Sequence, residues 1–339
     1  MHMLLVPTLF VALLGQTNGS SGTTSVQNGW DRPSSSKLGI ENENPFESEH
    51  LDRPLTHIVR QMNDLPAPNS TAPLPVPSRF EKTYQAQNKP ATLDYIYMGK
   101  SSVEEPATSG VLMNQIGFDY RLVRPFFKTP AAFTFRPATS ILFMSGPGGI
   151  DLPEQLYMFA FDFQLDIPVN ERIGVSLGIT PGIWSDLVVI TNDSFRLPAR
   201  ALFTFKFSDT LFFAGGPIYT DNIRRNIIPG IGVIWDPNEK WHLELLYPRS
   251  RIVYRINDSW APYLAIERGG TTYSIRLNNA NSDFEYRDYR LMLGIDIGQW
   301  TAANLFAECG FTFDRRFRFD YLPQLTIQDS FILRVGARF

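Results

Sequence analysis

The segment YMFAFDFQLDI, residues 157–167, decides what kind of fold this chain can adopt. Tyr157, Phe159, Phe161, Phe163, Leu165 and Ile167 share one parity; Met158, Ala160, Asp162, Gln164 and Asp166 share the other. Side chains alternate across a strand with period two and recur around a helix with period 3.6. Wound as a helix, the segment would scatter its aromatics around the whole circumference. Laid out as a strand, it has one apolar face and one mostly polar face.

The same alternation recurs on both sides. NQIGFDYRL (114–122) sets Ile116, Phe118, Tyr120 and Leu122 against Gln115, Gly117, Asp119 and Arg121. RIGVSLGITPGIW (172–184) sets Ile173, Val175, Leu177 and Ile179 against Gly174, Ser176, Gly178 and Thr180. RLMLGIDIG (290–298), LFAECGFTFD (305–314) and FILRVGARF (331–339) continue the pattern. Turn-forming runs separate these segments: MSGPGG (144–149), PVNE (168–171), TNDS (191–194), SDT (208–210), DPNEK (236–240) and NNANSD (278–283). Their Gly, Pro, Asn and Asp favour turns for backbone reasons. The reading is all-β, with about 12 strands (range 10–14), many of them about 9–13 residues long against a usual mode of 5–6.

Two architectures produce such alternation. A soluble sandwich turns its apolar face inward. A transmembrane barrel turns it to lipid and lines its lumen with the other face. The strands are long enough to cross a bilayer obliquely, which takes about 9–11 residues. The polar face is rich in Gly, Ser, Thr and Ala, and charged residues make up only 19% of the chain. Trp184, Trp235, Trp241, Trp260 and Trp300 fall at expected strand ends, where an interfacial aromatic belt would lie. In lipid an open sheet edge has no partner, so the barrel reading requires the last strand to pair with the first. Phe331, Leu333, Val335 and Phe339 form the apolar face of that last strand. It resembles the final strand of bacterial outer-membrane barrels, which commonly ends on an aromatic residue. That resemblance implies a sorting signal read by the barrel-assembly machinery.

Three stretches carry a narrower resemblance: DFQLDIPVNERIGVSLGITPGIWSD (162–186), WHLELLYPRSRIVYRI (241–256) and EYRDYRLMLGIDIG (285–298). They are similar to a family of barrel proteins known only as a domain of unknown function, DUF6268. The resemblance spans about residues 110–339. It implies an outer-membrane barrel and brings no activity, ligand or site residues with it.

The front of the chain differs. MLLVPTLFVALL (3–14) followed by GQTNGSSG reads as a cleaved secretory signal over 1–19. Residues 20–110 read as a disordered Ser/Asn/Pro-rich spacer, with five prolines in LPAPNSTAPLPVP (65–77). The barrel is expected over 111–339. The 339 residues carry a formal net charge of −3 and one cysteine, Cys309. No basic run points to nucleic acid, and no disulfide can form within the chain.

Little chemistry is legible. His242 is the only histidine of the expected barrel, with lumen parity beside Glu244, so no Ser–His arrangement facing lipid is visible. No metal-ligand spacing, cofactor motif or phosphate loop is present. The functional candidates are charges of lumen parity: Asp119, Arg121, Asp162, Arg200, Glu244, Arg290, Asp296, Glu308 and Arg334, with Asp166, Lys206 and Arg338 beside them. They either pair and fill the interior or line a charge-selective solute path. Gly294, at lumen parity, is expected to accept a small side chain, and Leu293, at lipid parity, to reject charge. The expected function is a passive envelope role in the outer membrane, as a narrow solute channel or a structural barrel and not as an enzyme. Its partners would be membrane lipid, the assembly machinery and small solutes. A lipid-acting enzyme on a barrel scaffold and a secreted soluble β-sandwich binding protein are the alternatives.

Overall fold

A computed structural model describes residues 89–339, apart from residues 104–109, 128, 130, 189, 224–225, 258 and 299–302. The expected leader, most of the expected spacer, and Trp300 lie outside the described residues.

Strand β1 spans Ala91–Ser101, β2 Val111–Tyr120 with a short extension at Leu122–Pro125, β3 Ala132–Ser145 and β4 Gln155–Pro168. β5 runs Ile173–Ile179 and resumes at Gly182–Ser185; β6 comprises Phe195–Arg196 and Ala199–Lys206. Then come β7 (Leu211–Tyr219), β8 (Ile227–Trp235), β9 (Trp241–Tyr247) and β10 (Arg249–Tyr254). β11 runs Trp260–Gly269 and goes on as Thr272–Leu277, β12 is Ala280–Ile297, β13 is Asn304–Phe319, and β14 comprises Leu325–Ile327 and Ser330–Arg338. Chain neighbours pair antiparallel, and β1 pairs with β14, closing a barrel of 14 strands. At the seam, Ala91 N–H donates to Phe339 O (2.9 Å) and Phe339 N–H to Ala91 O (3.0 Å).

The strand number is the upper end of the expected range. The barrel begins at Ala91, inside the stretch assigned to the spacer, rather than at residue 111. The alternation in β1 is blurred because its inward face mixes Thr92 and Asp94 with Ile96 and Met98, all buried.

Closure puts one parity outside and the other inside, and the polarity is inverted relative to a soluble protein. Leu293 is 61% exposed and Phe311 63%, whereas Asp296 is 0% and Arg334 1% exposed. Ile116, Phe118, Phe159, Phe161, Leu177, Ile179, Leu333 and Val335 are likewise exposed. Large apolar side chains around the wall with charges inside is an arrangement that water penalises and lipid stabilises. The sandwich alternative fails here, since it needs the apolar parity inside. Among the described residues no helix is long and apolar enough to cross a membrane; the crossing is made by strands.

The two ends differ. At the end holding Ala91 and Phe339 the turns are short, at 169–172, 207–210, 236–240 and 255–259. Three of them use one device: the Oδ1 of Asn170, Asn238 or Asn257 accepts from the backbone N–H two residues on, at 2.8–2.9 Å. At the far end most connections are longer, including 102–110, 146–154 and 186–194.

The far mouth is roofed. Thr272–Leu277 and the start of β12 form a hairpin whose turn, Asn278–Asn279, has φ of 49° and 62°, the left-handed pair a two-residue hairpin requires. The hairpin reaches β5, half the ring away, where Ser274 pairs with Ser185. Beneath it lies an apolar layer that includes Met98, Met113, Met144, Met158, Met292 and Trp184. Trp184 corrects an expectation: it belongs to this inner layer and not to the outer aromatic belt. Its parity, counted back through Pro181 to Gly178, already put it inside. Trp235 and Trp241 do face outward at the short-turn end.

Candidate functional site

The inward charges form a built interior. Every buried cationic side chain apart from His242 is an arginine, with no lysine, among the described residues. The planar guanidinium can serve two carboxylates at once, which a lumen narrowed by side chains requires.

On β4–β6, Arg200 grips Asp162 with both terminal nitrogens, each at 2.9 Å, and also donates to Gln164 (3.0 Å). Thr180 donates to the same aspartate at 2.8 Å, and Arg136 stands 3.8 Å from it. Asp166 accepts from Gln164 and from Ser176 (2.8 Å). Arg200 can pass over β5 because Gly178 lies beneath it; a Cβ there would stand 2.8 Å from its Cζ.

On β10–β14, Arg334 spans Glu267 (2.5 Å) and Glu308 (2.7 Å). Glu267 is approached also by Arg290 (3.4 Å) and Arg249 (3.5 Å). Arg290 in turn holds Asp288 (3.1 Å). Tyr263 donates to Glu308 at 2.7 Å. Nearer the end holding Ala91 and Phe339, Asp296 is shared by Arg251 (2.5 Å) and Arg338 (3.1 Å), and Arg251 lies 3.6 Å from the Tyr263 ring centre.

His242 sits between two carboxylates, Nδ1 2.5 Å from Asp236 and Nε2 2.7 Å from Glu244. Both ring nitrogens are thereby occupied by acids, which suits a held cation rather than the activation of a hydroxyl. Among the described residues no group of His, Cys, Asp and Glu has the geometry to hold a metal ion.

The structure therefore brings Asp162, Arg200, Arg290, Asp296, Glu308 and Arg334 into ion-paired clusters and places Glu244 beside His242. Asp119 is buried on β2, and Arg121 is half-buried just past its end. Lys206 lies at the short-turn end and pairs with exposed Asp209 (2.7 Å). Glu267, Arg249, Arg251 and Arg136 were not singled out from sequence. In WAPYLAIERG both parities carry apolar residues, so the odd set that leads to Glu267 does not stand out.

Gly294 corrects a second expectation. The Tyr263 ring crosses it to reach Glu308, and an added Cβ would overlap that ring. Gly294→Ala should displace Tyr263, break its bond to Glu308 and destabilise the barrel by about 1–3 kcal/mol. Urea unfolding in detergent micelles would measure this, and an unchanged midpoint would contradict the packing.

A cavity of about 70 Å³ lies at the far end, lined by Thr180, Arg200, Tyr219, Asn222, Arg249 and Glu267 among others. It has room for a few waters and touches both ion clusters. The roof hairpin borders it, since Thr272 donates to Asn222 at 3.2 Å. The hairpin's other ties to the walls are Arg276 N–H to Asp186 (2.7 Å), Asp186 N–H to Ser274 O (3.3 Å) and Arg196 to Asp283 (2.7 Å).

A closed antiparallel barrel with a lipid-type exterior and a charged interior defines a transmembrane β-barrel. The DUF6268 family, described as a domain of unknown function, matches residues 151–322, half of the chain, and the chain belongs to that family. None of the curated proteins matches in sequence. Similar solved structures include an outer-membrane channel from Pseudomonas putida F1, at 12% identity over 74% of this chain and 96% of that one, TM-score 0.36. A KdgM porin in complex with disordered oligogalacturonate shares 9% over 73% and 98%, TM-score 0.31. The Pseudomonas putida toluene transporter TodX shares 7% over 77% and 93%, TM-score 0.31.

Proposed function

We propose that this protein is an outer-membrane barrel of a bacterial envelope that gives small polar solutes a narrow, gated path. The observation that carries the reading is the combination of a charge-lined interior and a mouth closed by a hairpin that a handful of hydrogen bonds and one ion pair hold to the walls. Charge buried at membrane depth is costly and by default functional. Short turns at the end with both barrel termini and longer loops at the other match a periplasmic and an external side. The outward-facing Phe331, Leu333, Val335 and Phe339, on the strand that closes the ring, support their role as the assembly signal. An enzymatic role finds no support in the surroundings of His242.

Ser185 and Ser274 are paired across the mouth, close enough for a disulfide when both are cysteine. In a planar bilayer the oxidised Ser185→Cys/Ser274→Cys protein should be silent, and reduction should restore the conductance steps of the unmodified protein. Equal conductance in both states would place the path elsewhere. Silence in both, and in the unmodified protein, would favour the second reading, a structural barrel, for which the ion-paired arginine clusters inside the wall speak.

A further inference from the structure

Sequence parity would send Arg316 into the lumen, yet the structure turns it outward. Along β13, Phe311 and Phe313 face out and Thr312 faces in. The register with β12 then slips: Tyr289 opposes Phe313, but Arg287 opposes Arg316, so β13 spends one residue more than its partner. The extra residue is absorbed at Asp314, whose φ is 48°, a conformation Asp tolerates. Beyond this bulge Arg315 is the inward residue, fully buried and donating to Ser101, and Arg316 emerges on the outer wall.

There it meets other outward side chains. Asp314 accepts from Arg287 (2.9 Å) and from Arg316 Nε (2.8 Å). Arg287 lies 5.5 Å from the Tyr289 ring centre, and Tyr289 stacks on Phe313 at 5.8 Å. Arg268 lies opposite Tyr289, has the same outward parity and is partly exposed. Glu285, one level higher, is taken by Arg318 (3.0 Å). Arg287 and Arg316 thus share a single carboxylate, and Arg268 adds a third cation beside Tyr289.

Depth gives the patch its meaning. Immediately toward the barrel middle on the same strands lies an exposed apolar row of Ile266, Leu291, Phe311 and Phe331. Next come the rings of Tyr289 and Phe313, and then the guanidinium groups. Apolar, aromatic, cationic is the order a side-chain column follows from acyl chain to headgroup.

We infer that Arg316, turned outward by the Asp314 bulge, joins Arg268 and Arg287 on the far rim of β11–β13 to bind the phosphate of an anionic membrane lipid in the leaflet facing that rim. The inference rests on the membrane reading above and not on solute conduction. Guanidinium groups take phosphate bidentately, and the neighbouring apolar row accommodates the attached acyl chains.

Native mass spectrometry of the folded barrel in detergent, offered diphosphorylated lipid A or phosphatidylcholine, tests it. The unmodified protein should retain the diphosphorylated lipid selectively. The Arg268→Gln/Arg287→Gln/Arg316→Gln variant should retain about tenfold less or weaker still, and millimolar inorganic phosphate should not displace the lipid. Folding is checked independently by the altered migration of the unboiled barrel, because Arg287 is nearly covered and bonded to Asp314 (2.9 Å) whereas Arg268 and Arg316 are partly exposed. If the triple variant does not fold, the Arg268→Gln/Arg316→Gln variant, which keeps Arg287, should show the same loss of lipid. Equal retention by both proteins, equal retention of phosphatidylcholine, or displacement by inorganic phosphate would overturn the lipid site. A folded barrel without lipid selectivity sinks this inference alone; a chain that never enters bilayers sinks the membrane reading as well.

Discussion

Leu293→Arg should keep the chain from inserting stably, because it puts a guanidinium on the outer wall near mid-depth. Leu293 is among the most exposed residues of the apolar band, opposite Cys309 on β13. An arginine at the bilayer midplane costs about 2–4 kcal/mol and one near the interface about 0–1. Leu305→Arg, on the same band but at the short-turn end of β13, should therefore insert nearly normally. The fraction of folded barrel in lipid vesicles, read from unboiled gel migration, checks both. A soluble core would punish the two substitutions alike, so the gradient with depth separates lipid from packed protein.

Arg334→Met should cost about 3–5 kcal/mol, the usual loss when one partner of a buried ion pair is removed. Arg334 reaches Glu308 through one terminal nitrogen and Glu267 through the other. Among the described residues, the substitution leaves Glu308 with Tyr263 alone and Glu267 with only the more distant Arg249 and Arg290. Adding Glu308→Gln should recover part of the loss, because it removes the charge left without a cation. Urea unfolding in micelles gives the three free energies. A loss under about 1 kcal/mol would mean that water solvates these carboxylates freely and that the cluster is not a packed constriction of the lumen.

Much of this was legible in the sequence because strand parity leaves a direct trace. Asp162, Arg200, Asp296, Glu308 and Arg334 lie inside for the reason they were singled out: each sits opposite an apolar neighbour on a long alternating segment. The trace failed where both parities are apolar. β1 was lost to the spacer through Ile96 and Met98, and Glu267 was hidden by Ala261 and Ala265. It failed again where register slips, since nothing in FDRRFRF says which arginine turns inward until Asp314 takes up the extra residue. Pairings between strands that are not neighbours, such as Arg334 on β14 with Glu267 on β11, and the hairpin's reach to Ser185 are long-range consequences of the fold. A single strand's pattern does not encode them. Gly294 shows the same limit: its parity was right, but its role as the floor beneath Tyr263 depends on a neighbouring strand.

The inverted polarity of the wall is tested most directly at Cys309, the chain's single cysteine, exposed on the apolar band. A nitroxide attached there in the unfolded chain, followed by refolding into lipid vesicles, requires no substitution. Relaxation by dissolved oxygen should be strong and relaxation by a water-soluble nickel chelate weak, as for a side chain among acyl chains. Strong relaxation by the nickel chelate would put that face in water, and shielding from both colliders would put it in a packed interior. Either result would contradict a transmembrane barrel.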